Sequence, residues 1–252
     1  MQRILLILTF SLVTIFAQDK DHRDYHWKDW KDWKDWKGSA RGYFMIGGLQ
    51  TDLGDFNDDL SRFGYEDMDD KFFSLGGGGH VVKNGLIFGI EGHGFMGEEK
   101  LNQGYNTRLI GGYGFVNIGY ELINYKNFSL YPLIGLGGGA IEYSMVQDAR
   151  LSFDDVLADP GRTITLRNAG FMIQAALGTE FFYPMHSNEH HEWGLVFGLR
   201  GGYVFTPITS DWWANEDKIS GGPDLGINGP YLRLTIGFGG NGKGHASDKS
   251  KY

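Results

Sequence analysis

Seven charged or polar side chains could form ion pairs and hydrogen bonds inside this protein, because most of them fall on the less apolar face of a predicted β-strand. They are Glu91, His93, Glu121, Gln174, Glu180, Arg200 and Arg233. A buried charge is costly unless it is paired. We therefore interpret this set as an ion-pair network that closes a narrow interior. A gate or a narrow pore is the functional alternative for the same residues.

Two further segments carry side chains that could bind a metal ion. Residues 54–70 are acidic, and clustered carboxylates suit Ca²⁺ or Mg²⁺. This segment lacks the glycine of an EF-hand loop, so a solvated acidic loop is the better interpretation. Residues His186–His191 contain clustered histidines, which could bind Zn²⁺ or Cu²⁺, but their spacing matches no closed site. We predict neither a metal site nor a cofactor.

A pair of adjacent tryptophans, Trp212 and Trp213, lies in the polar segment 207–228. If both rings are exposed, they form a possible contact surface for an extracellular protein or a glycan. The alternative is that the rings pack over the end of the folded domain.

Composition limits the class of protein. The 252 residues include 40 Gly and no Cys, and 23 basic residues stand against 31 acidic ones. Nucleic-acid binding needs clustered Lys and Arg, so no nucleic-acid partner is predicted. Beyond the first 17 residues the chain has no run of 18 apolar residues. Membrane-spanning helices are therefore excluded, whereas a membrane-spanning barrel is not.

The first 17 residues are typical of a cleaved signal peptide. A basic start at Arg3 is followed by an apolar run from Ile4 to Phe16 and then by Ala17. The run is shorter than the ~20 residues that a helical span requires. Cleavage after Ala17 would leave 22 basic and 31 acidic residues and a net charge of −9.

Two polar segments flank the predicted folded domain, which we place at 41–239. Residues 18–40 contain a Trp-Lys-Asp repeat, which is either a low-complexity linker or an anchor in the lipid headgroup zone. Residues 240–252 form a polar tail.

The elements that must position the seven side chains are eight predicted strands. Their approximate bounds are 42–53, 71–82, 85–97, 104–121, 128–145, 163–182, 191–206 and 229–239. The even-numbered connections are short, and one carries Asn84-Gly85, the strongest two-residue hairpin signal. The odd-numbered connections include all three long loops. In outer-membrane barrels short turns face the periplasm and long loops face outside.

The alternation of residue types indicates which face of each strand is apolar. In the third strand Phe88 and Ile90 share a face and Glu91 lies on the other; in the eighth strand Leu234 opposes Arg233. The fourth strand is less regular, and Arg108 falls on its apolar side, so we place Arg108 near a strand end. A charge on the lipid face at mid-bilayer would cost ~2–4 kcal/mol. The pattern therefore predicts apolar residues outside and charges inside.

In these features the chain resembles small eight-stranded bacterial outer-membrane barrels of the OmpA/OmpX type. The similarity is carried by the signal peptide, the eight strands and the final strand Gly229–Phe238, which alternates and ends on Phe like the signal read by the barrel-assembly machinery. The resemblance implies contact with outer-membrane lipid and lipopolysaccharide, and recognition by that machinery during insertion. The polar tail after residue 239 departs from the family's usual ending.

An enzyme of this architecture is a further alternative, because lipid A-modifying enzymes also use eight-stranded barrels. Acyl transfer or hydrolysis needs a nucleophile beside a base. The run His186-Ser187-Asn188 is similar to the His-x-Ser-Asn run of lipid A deacylases but lacks the intervening residue. It also falls in a predicted periplasmic turn, away from the outer leaflet. We therefore expect no catalytic residue.

These observations predict an all-β protein, an eight-stranded antiparallel up-and-down transmembrane β-barrel. We expect a monomer in a bacterial outer membrane with both termini periplasmic. The expected role is structural or interactive, with a plugged lumen. The alternatives are a narrow small-solute channel, a lipid A-modifying enzyme, and a soluble lipocalin-like barrel with its apolar residues inside.

Overall fold

The computed structural model describes residues 37–147 and 163–243. Eight long strands dominate this part of the chain, and we number them first to eighth in chain order. Their bounds are Lys37–Gln50, Lys71–Lys83, Leu86–Met96, Tyr105–Tyr120, Phe128–Gln147, Thr163–Ser187, His191–Thr209 and Gly229–Lys243. The predicted signal peptide and most of both the polar leader and the polar tail lie outside the described residues.

The eight strands form a closed ring. Each strand pairs antiparallel with the next one along the chain, from the first to the eighth. The ring closes where the first strand pairs with the eighth, from Lys37↔Lys243 to Leu49↔Tyr231. This pairing confirms the eight-stranded antiparallel up-and-down barrel. Closure leaves no unpaired edge among these strands, which is the requirement for strands that cross lipid.

Several strands are longer than the sequence predicted. The first strand begins at Lys37, and the sixth continues to Ser187, five residues past its predicted end. The prediction followed apolar alternation, whereas backbone pairing continues into polar residues such as Ser187, which pairs with Glu192. A register shift between Pro184 and His186 accompanies this extension, because proline cannot donate to the sheet ladder.

The two ends of the barrel differ. At the turn end, tight connections join the strands, and Asn84 and Gly85 both have positive φ angles of 54° and 82°, as a two-residue hairpin turn requires. The terminal strands also begin and finish at this end. At the loop end lie segments 51–70, 97–104 and 210–228, with a small strand Lys100–Asn102 and a hairpin formed by Trp212–Ala214 and Asp217–Ile219.

A short helix, Gly54–Arg62, covers part of the loop end, where the sequence predicted only a solvated acidic loop. Its apolar residues Phe56 and Leu60 are four positions apart and therefore share one face, and both are buried. The carboxylates of the segment point elsewhere on a largely exposed surface. Among the described residues, no helix is long and apolar enough to cross a membrane.

The burial pattern confirms the direction of the strands' faces. Phe88, Ile90 and Leu234 lie on the outside, with Ile90 exposed over 65% of its surface. Glu91 and Arg233 point inward and are buried. Arg108 lies near the start of the fourth strand and pairs at the surface with Glu99, 3.1 Å away, in agreement with its predicted position near a strand end.

Candidate functional site: the charged lumen

Inward-facing residues of four strands supply the polar and charged side chains at the centre of the lumen. The third strand contributes Glu91 and His93, and the sixth contributes Gln174. Arg200 of the seventh strand and Arg233 of the eighth are direct partners in the sheet register. Two like charges directly opposite each other in adjacent strands repel. The lumen must therefore supply an anion to this pair.

Glu91 is that anion. One carboxylate oxygen of Glu91 accepts a hydrogen bond from Arg200 Nη1, and the other lies 3.4 Å from Arg233 Nη1. Gln174 Nε2 donates to Glu91 Oε1 over 2.8 Å and to the Asn117 side-chain oxygen over 2.7 Å. The side chains of Glu91, Arg200 and Arg233 are at most 2% exposed. One carboxylate thus bridges two buried guanidinium groups from the far side of the ring.

His93 lies beside the same centre. Its Nε2 atom is 3.2 Å from Arg233 Nη1 and 3.4 Å from Glu91 Oε1, so its tautomer decides which of the two it contacts by a hydrogen bond. The ring also stacks on Tyr113, with centroids 5.1 Å apart.

Inward-facing tyrosines add further contacts to the two arginines. Arg233 Nη2 donates to the Tyr113 hydroxyl over 2.6 Å, and Arg200 Nη2 donates to the Tyr43 hydroxyl over 3.2 Å. The Arg233 guanidinium lies 3.6 Å above the centre of the Tyr231 ring, a cation–π contact. Sequence reasoning missed these tyrosines because their rings suit an apolar face equally well. Strand parity would have found them, since each has the same parity as an inward residue of its strand.

A second ionic layer lies nearer the turn end. Arg41 Nε donates to Glu180 Oε1 over 2.6 Å, and His80 Nε2 is 3.7 Å from Glu180 Oε2. The Arg41 guanidinium also packs on the Phe182 ring at 4.7 Å. The sequence prediction included Glu180 but not Arg41 or His80. Arg41 lay one residue before the predicted first strand, so the alternation of that strand was not extended to it.

Glu121 repels the carboxylate of Glu180, but within the described part of the chain it forms no ion pair with an arginine of either layer. It lies in the turn after the fourth strand and accepts a hydrogen bond from Asn124 Nδ2 over 3.0 Å. With Arg41 and Lys126 it lines a polar cavity of about 180 Å³ at the turn end. Its predicted membership of the inner network is therefore corrected: the fourth strand ends at Tyr120, so the alternation no longer governs residue 121.

The two layers do not balance in formal charge. Counting carboxylates and guanidinium groups alone, Glu91 and Glu180 stand against three arginines, so this part of the lumen has one more arginine than carboxylate. Tyrosine hydroxyls accept hydrogen bonds from the Nη2 atoms of Arg200 and Arg233, and the Tyr231 ring lies beneath the Arg233 guanidinium. The Nε atoms of both arginines are buried without a hydrogen-bond partner among the described residues. The arrangement neutralises buried charges and links side chains of strands on opposite sides of the ring.

The two adjacent tryptophans differ in burial. Trp212 is buried, stacks on Phe56 with ring planes 11° apart, and donates from Nε1 to the Pro223 carbonyl oxygen over 2.8 Å. This corrects its predicted role as a surface contact in favour of packing over the barrel mouth. Trp213 is 43% exposed and stays a candidate contact residue.

The segments considered for metal binding and catalysis lie at the two ends of the barrel. Carboxylates of segment 54–70 sit on the helix and the loop after it, at the loop end. His186 and Ser187 end the sixth strand at the turn end, His190 lies in the turn that follows, and His191 begins the seventh strand. Across residues 37–147 and 163–243, no group of three or more His, Asp or Glu side chains is arranged to hold a metal ion.

Comparison with known proteins adds a likeness in fold only. No family model matches the chain, and a search of curated proteins finds no match. Among solved structures, the chain is similar to Ail, the attachment invasion locus protein of Yersinia pestis, in complex with the heparin analogue sucrose octasulfate: 12% identity, TM-score 0.41, covering 81% of this chain and 97% of that one. It is also similar to Neisserial surface protein A, with 10% identity, TM-score 0.36 and coverages of 81% and 96%.

A third likeness is to the outer membrane protein OprG of Pseudomonas aeruginosa, with 13% identity, a TM-score of 0.33 and coverages of 82% and 97%. The fold assignment for this chain rests on its own strand pairing rather than on these matches. The class of protein that this pairing and the charged lumen define is an eight-stranded antiparallel barrel with its apolar face outward.

Proposed function

We propose that this protein is a bacterial outer-membrane barrel whose lumen is closed by buried ion pairs, with a structural or surface-interaction role. The observation that carries the proposal is the distribution of apolar and charged side chains, which is the reverse of that in a soluble protein. Large apolar side chains cover its outside, while Glu91, Arg200 and Arg233 are buried at its centre. Contiguous exposed apolar surface of this extent is rare on soluble monomers.

The soluble lipocalin-like alternative requires the opposite arrangement. It would place apolar residues such as Ile90, Leu234 and Phe238 inside, yet all three are more than half exposed. Membrane fractionation tests this point: we expect the protein to remain in the outer-membrane fraction and to need detergent for extraction. Recovery in the soluble fraction without detergent would contradict the proposal.

Outward aromatic residues support a specific position in the bilayer. Tyr183 and Trp193 near the turn end are about half exposed, as are Tyr203 and Phe205 toward the loop end. Aromatic girdles at both interfaces are typical of outer-membrane barrels. Phe182, which neighbours the first group in sequence, instead points inward beneath Arg41. With short turns facing the periplasm, both termini of the barrel would be periplasmic.

A closed lumen distinguishes the proposed role from that of a channel. The ion pairs join the third strand to the seventh and eighth across the ring, and Arg41 and Glu180 form a second layer. An eight-stranded barrel is just wide enough for side chains to fill it. We expect no single-channel conductance from the purified protein in planar lipid bilayers. Discrete conductance steps that disappear in the Arg233→Trp variant would favour the channel instead.

The proposed role is not enzymatic, and its partners are lipid and, outside the cell, a protein or a glycan. Trp213 is a candidate contact residue because it is exposed at the loop end. Incubation of the purified barrel with lipid A, followed by mass spectrometry, tests the absence of catalysis. We expect unchanged lipid A masses, and loss or gain of an acyl chain would contradict the proposal.

A further inference from the structure

An apolar cavity of about 240 Å³ lies at the loop end of the barrel. The fifth and sixth strands contribute the inward-facing residues Tyr143, Met145 and Leu166 to its wall. Among the described residues, the other lining positions belong to the helix Gly54–Arg62 and the residues just after it, to the short hairpin Trp212–Ile219, and to the segment that follows the hairpin. The cavity is thus built from parts of the chain that are distant in sequence and is separate from the ionic layers.

The wall is a packed aromatic frame. The Phe56 ring meets Tyr143 edge to face, with centroids 5.2 Å apart and planes at 79°. On another side Phe56 stacks on Trp212 with centroids 6.0 Å apart. The hydrogen bond from Trp212 Nε1 to Pro223 holds the indole in place. Because these rings fix one another, the space between them is formed in advance of any ligand.

The chemistry of the wall selects the occupant. An ionised group would lose its hydration on entering apolar surroundings, which is costly without a partner. The carboxylate that borders the cavity, Asp59, is already paired with Arg62 at 2.5 Å, so this ion pair offers a charged ligand no free partner. A neutral aromatic molecule can instead place its faces and edges against Phe56, Tyr143 and Trp212 in the stacked and edge-to-face geometries that such rings prefer.

The size of the space sets the size of the ligand. A dry apolar cavity of ~150 Å³ accommodates benzene, so about 240 Å³ by the same ratio accommodates about ten non-hydrogen atoms. We propose that this cavity is a binding site for a small, uncharged one- or two-ring aromatic molecule. The proposal concerns the loop end alone and is independent of whether the lumen conducts.

Indole titration of the full barrel in lipid nanodiscs tests the proposal, with methionine methyl groups labelled with ¹³C. Met145 lines the cavity, whereas Met96 and Met185 are exposed on the outside of the barrel and report partition into lipid. We expect the Met145 methyl resonance to shift saturably while the other two do not. Ile219→Trp, which fills the cavity, should reduce the Met145 shift at least tenfold; Ile208→Trp, on the outer face, should leave it unchanged.

A matched pair of ligands tests the selection against charge. Benzamide and benzoate have nearly the same shape and fewer than about ten non-hydrogen atoms each, and we expect the amide to bind at least tenfold more tightly. Three results would overturn the proposal: no Met145 shift, a shift that rises linearly together with those of Met96 and Met185, or a saturable shift that Ile219→Trp leaves intact. Equal binding of the amide and the carboxylate would overturn the claim that the ligand is uncharged.

Discussion

Replacing Glu91 by Gln tests the central feature of the lumen, the single carboxylate shared by two adjacent arginines. The substitution keeps the shape of the side chain and removes its charge. At 3.4 Å and an effective dielectric constant of about 20, the attraction between Glu91 and Arg233 alone is about 5 kcal/mol. Removing one partner of a buried pair costs about 3–5 kcal/mol, because the other charge stays buried without compensation.

We therefore expect Glu91→Gln to lower the free energy of unfolding by about 3–5 kcal/mol. Here two arginines, Arg200 and Arg233, would lose their shared anion while remaining neighbours in the sheet. Urea titration of the barrel in lipid vesicles, followed by tryptophan fluorescence, measures this loss. Electrophoretic mobility with and without heating confirms that the variant has folded before the titration.

The same substitution at the surface is the control. Glu99 pairs with Arg108 at 3.1 Å, but both side chains are about half exposed, so Glu99→Gln should cost at most about 1 kcal/mol. Arg233→Met should cost less than Glu91→Gln, because Glu91 would keep Arg200 as a partner. Equal, small losses for Glu91→Gln and Glu99→Gln would refute the reasoning that the lumen charges stabilise one another.

Two further substitutions test the outer face and the packing of the barrel. Ile90→Arg should cost about 2–4 kcal/mol in vesicles, because it places a charge in lipid. Leu122→Arg, at a similarly exposed turn position, should cost under about 0.5 kcal/mol. Equal costs in urea titrations would argue against a lipid-facing third strand. Gly76→Ala should cost about 1–3 kcal/mol, since its methyl group would lie 2.2 Å from His93 Nδ1. Gly92→Ala has no atom nearer than 3.9 Å, so a loss as large as that of Gly76→Ala would contradict this explanation.

The sequence predicted the eight strands and their faces because both depend on local patterns. A strand turns its side chains alternately to two sides, so the apolar and polar positions reveal which side meets lipid. The prediction for Leu234 and Arg233 depended on nothing beyond their own strand. It also located the tight turn at Asn84-Gly85, since that dipeptide suits the positive φ angles required there.

The helix Gly54–Arg62 shows where local reasoning stopped. Its charged residues dominated the composition of the segment, and its two buried residues, Phe56 and Leu60, were too few to signal a helix by themselves. Burial of this pair depends on the barrel mouth beneath it. The same mouth buries Trp212 but leaves Trp213 partly exposed. Because the two residues are adjacent and identical, their types alone did not predict which ring would be buried.

The sequence by itself indicated that Glu91, Arg200 and Arg233 face the lumen, and the tertiary structure decided which side chains meet there. Glu91 and Arg200 are 109 positions apart, and Arg41 and Glu180 are 139 apart. Their contacts depend on the register in which eight strands close into one ring. Alternation repeats every two residues and carries no information about that register, so the shared carboxylate at Glu91, the inward turn of Arg41 and the exclusion of Glu121 follow only from the closed barrel.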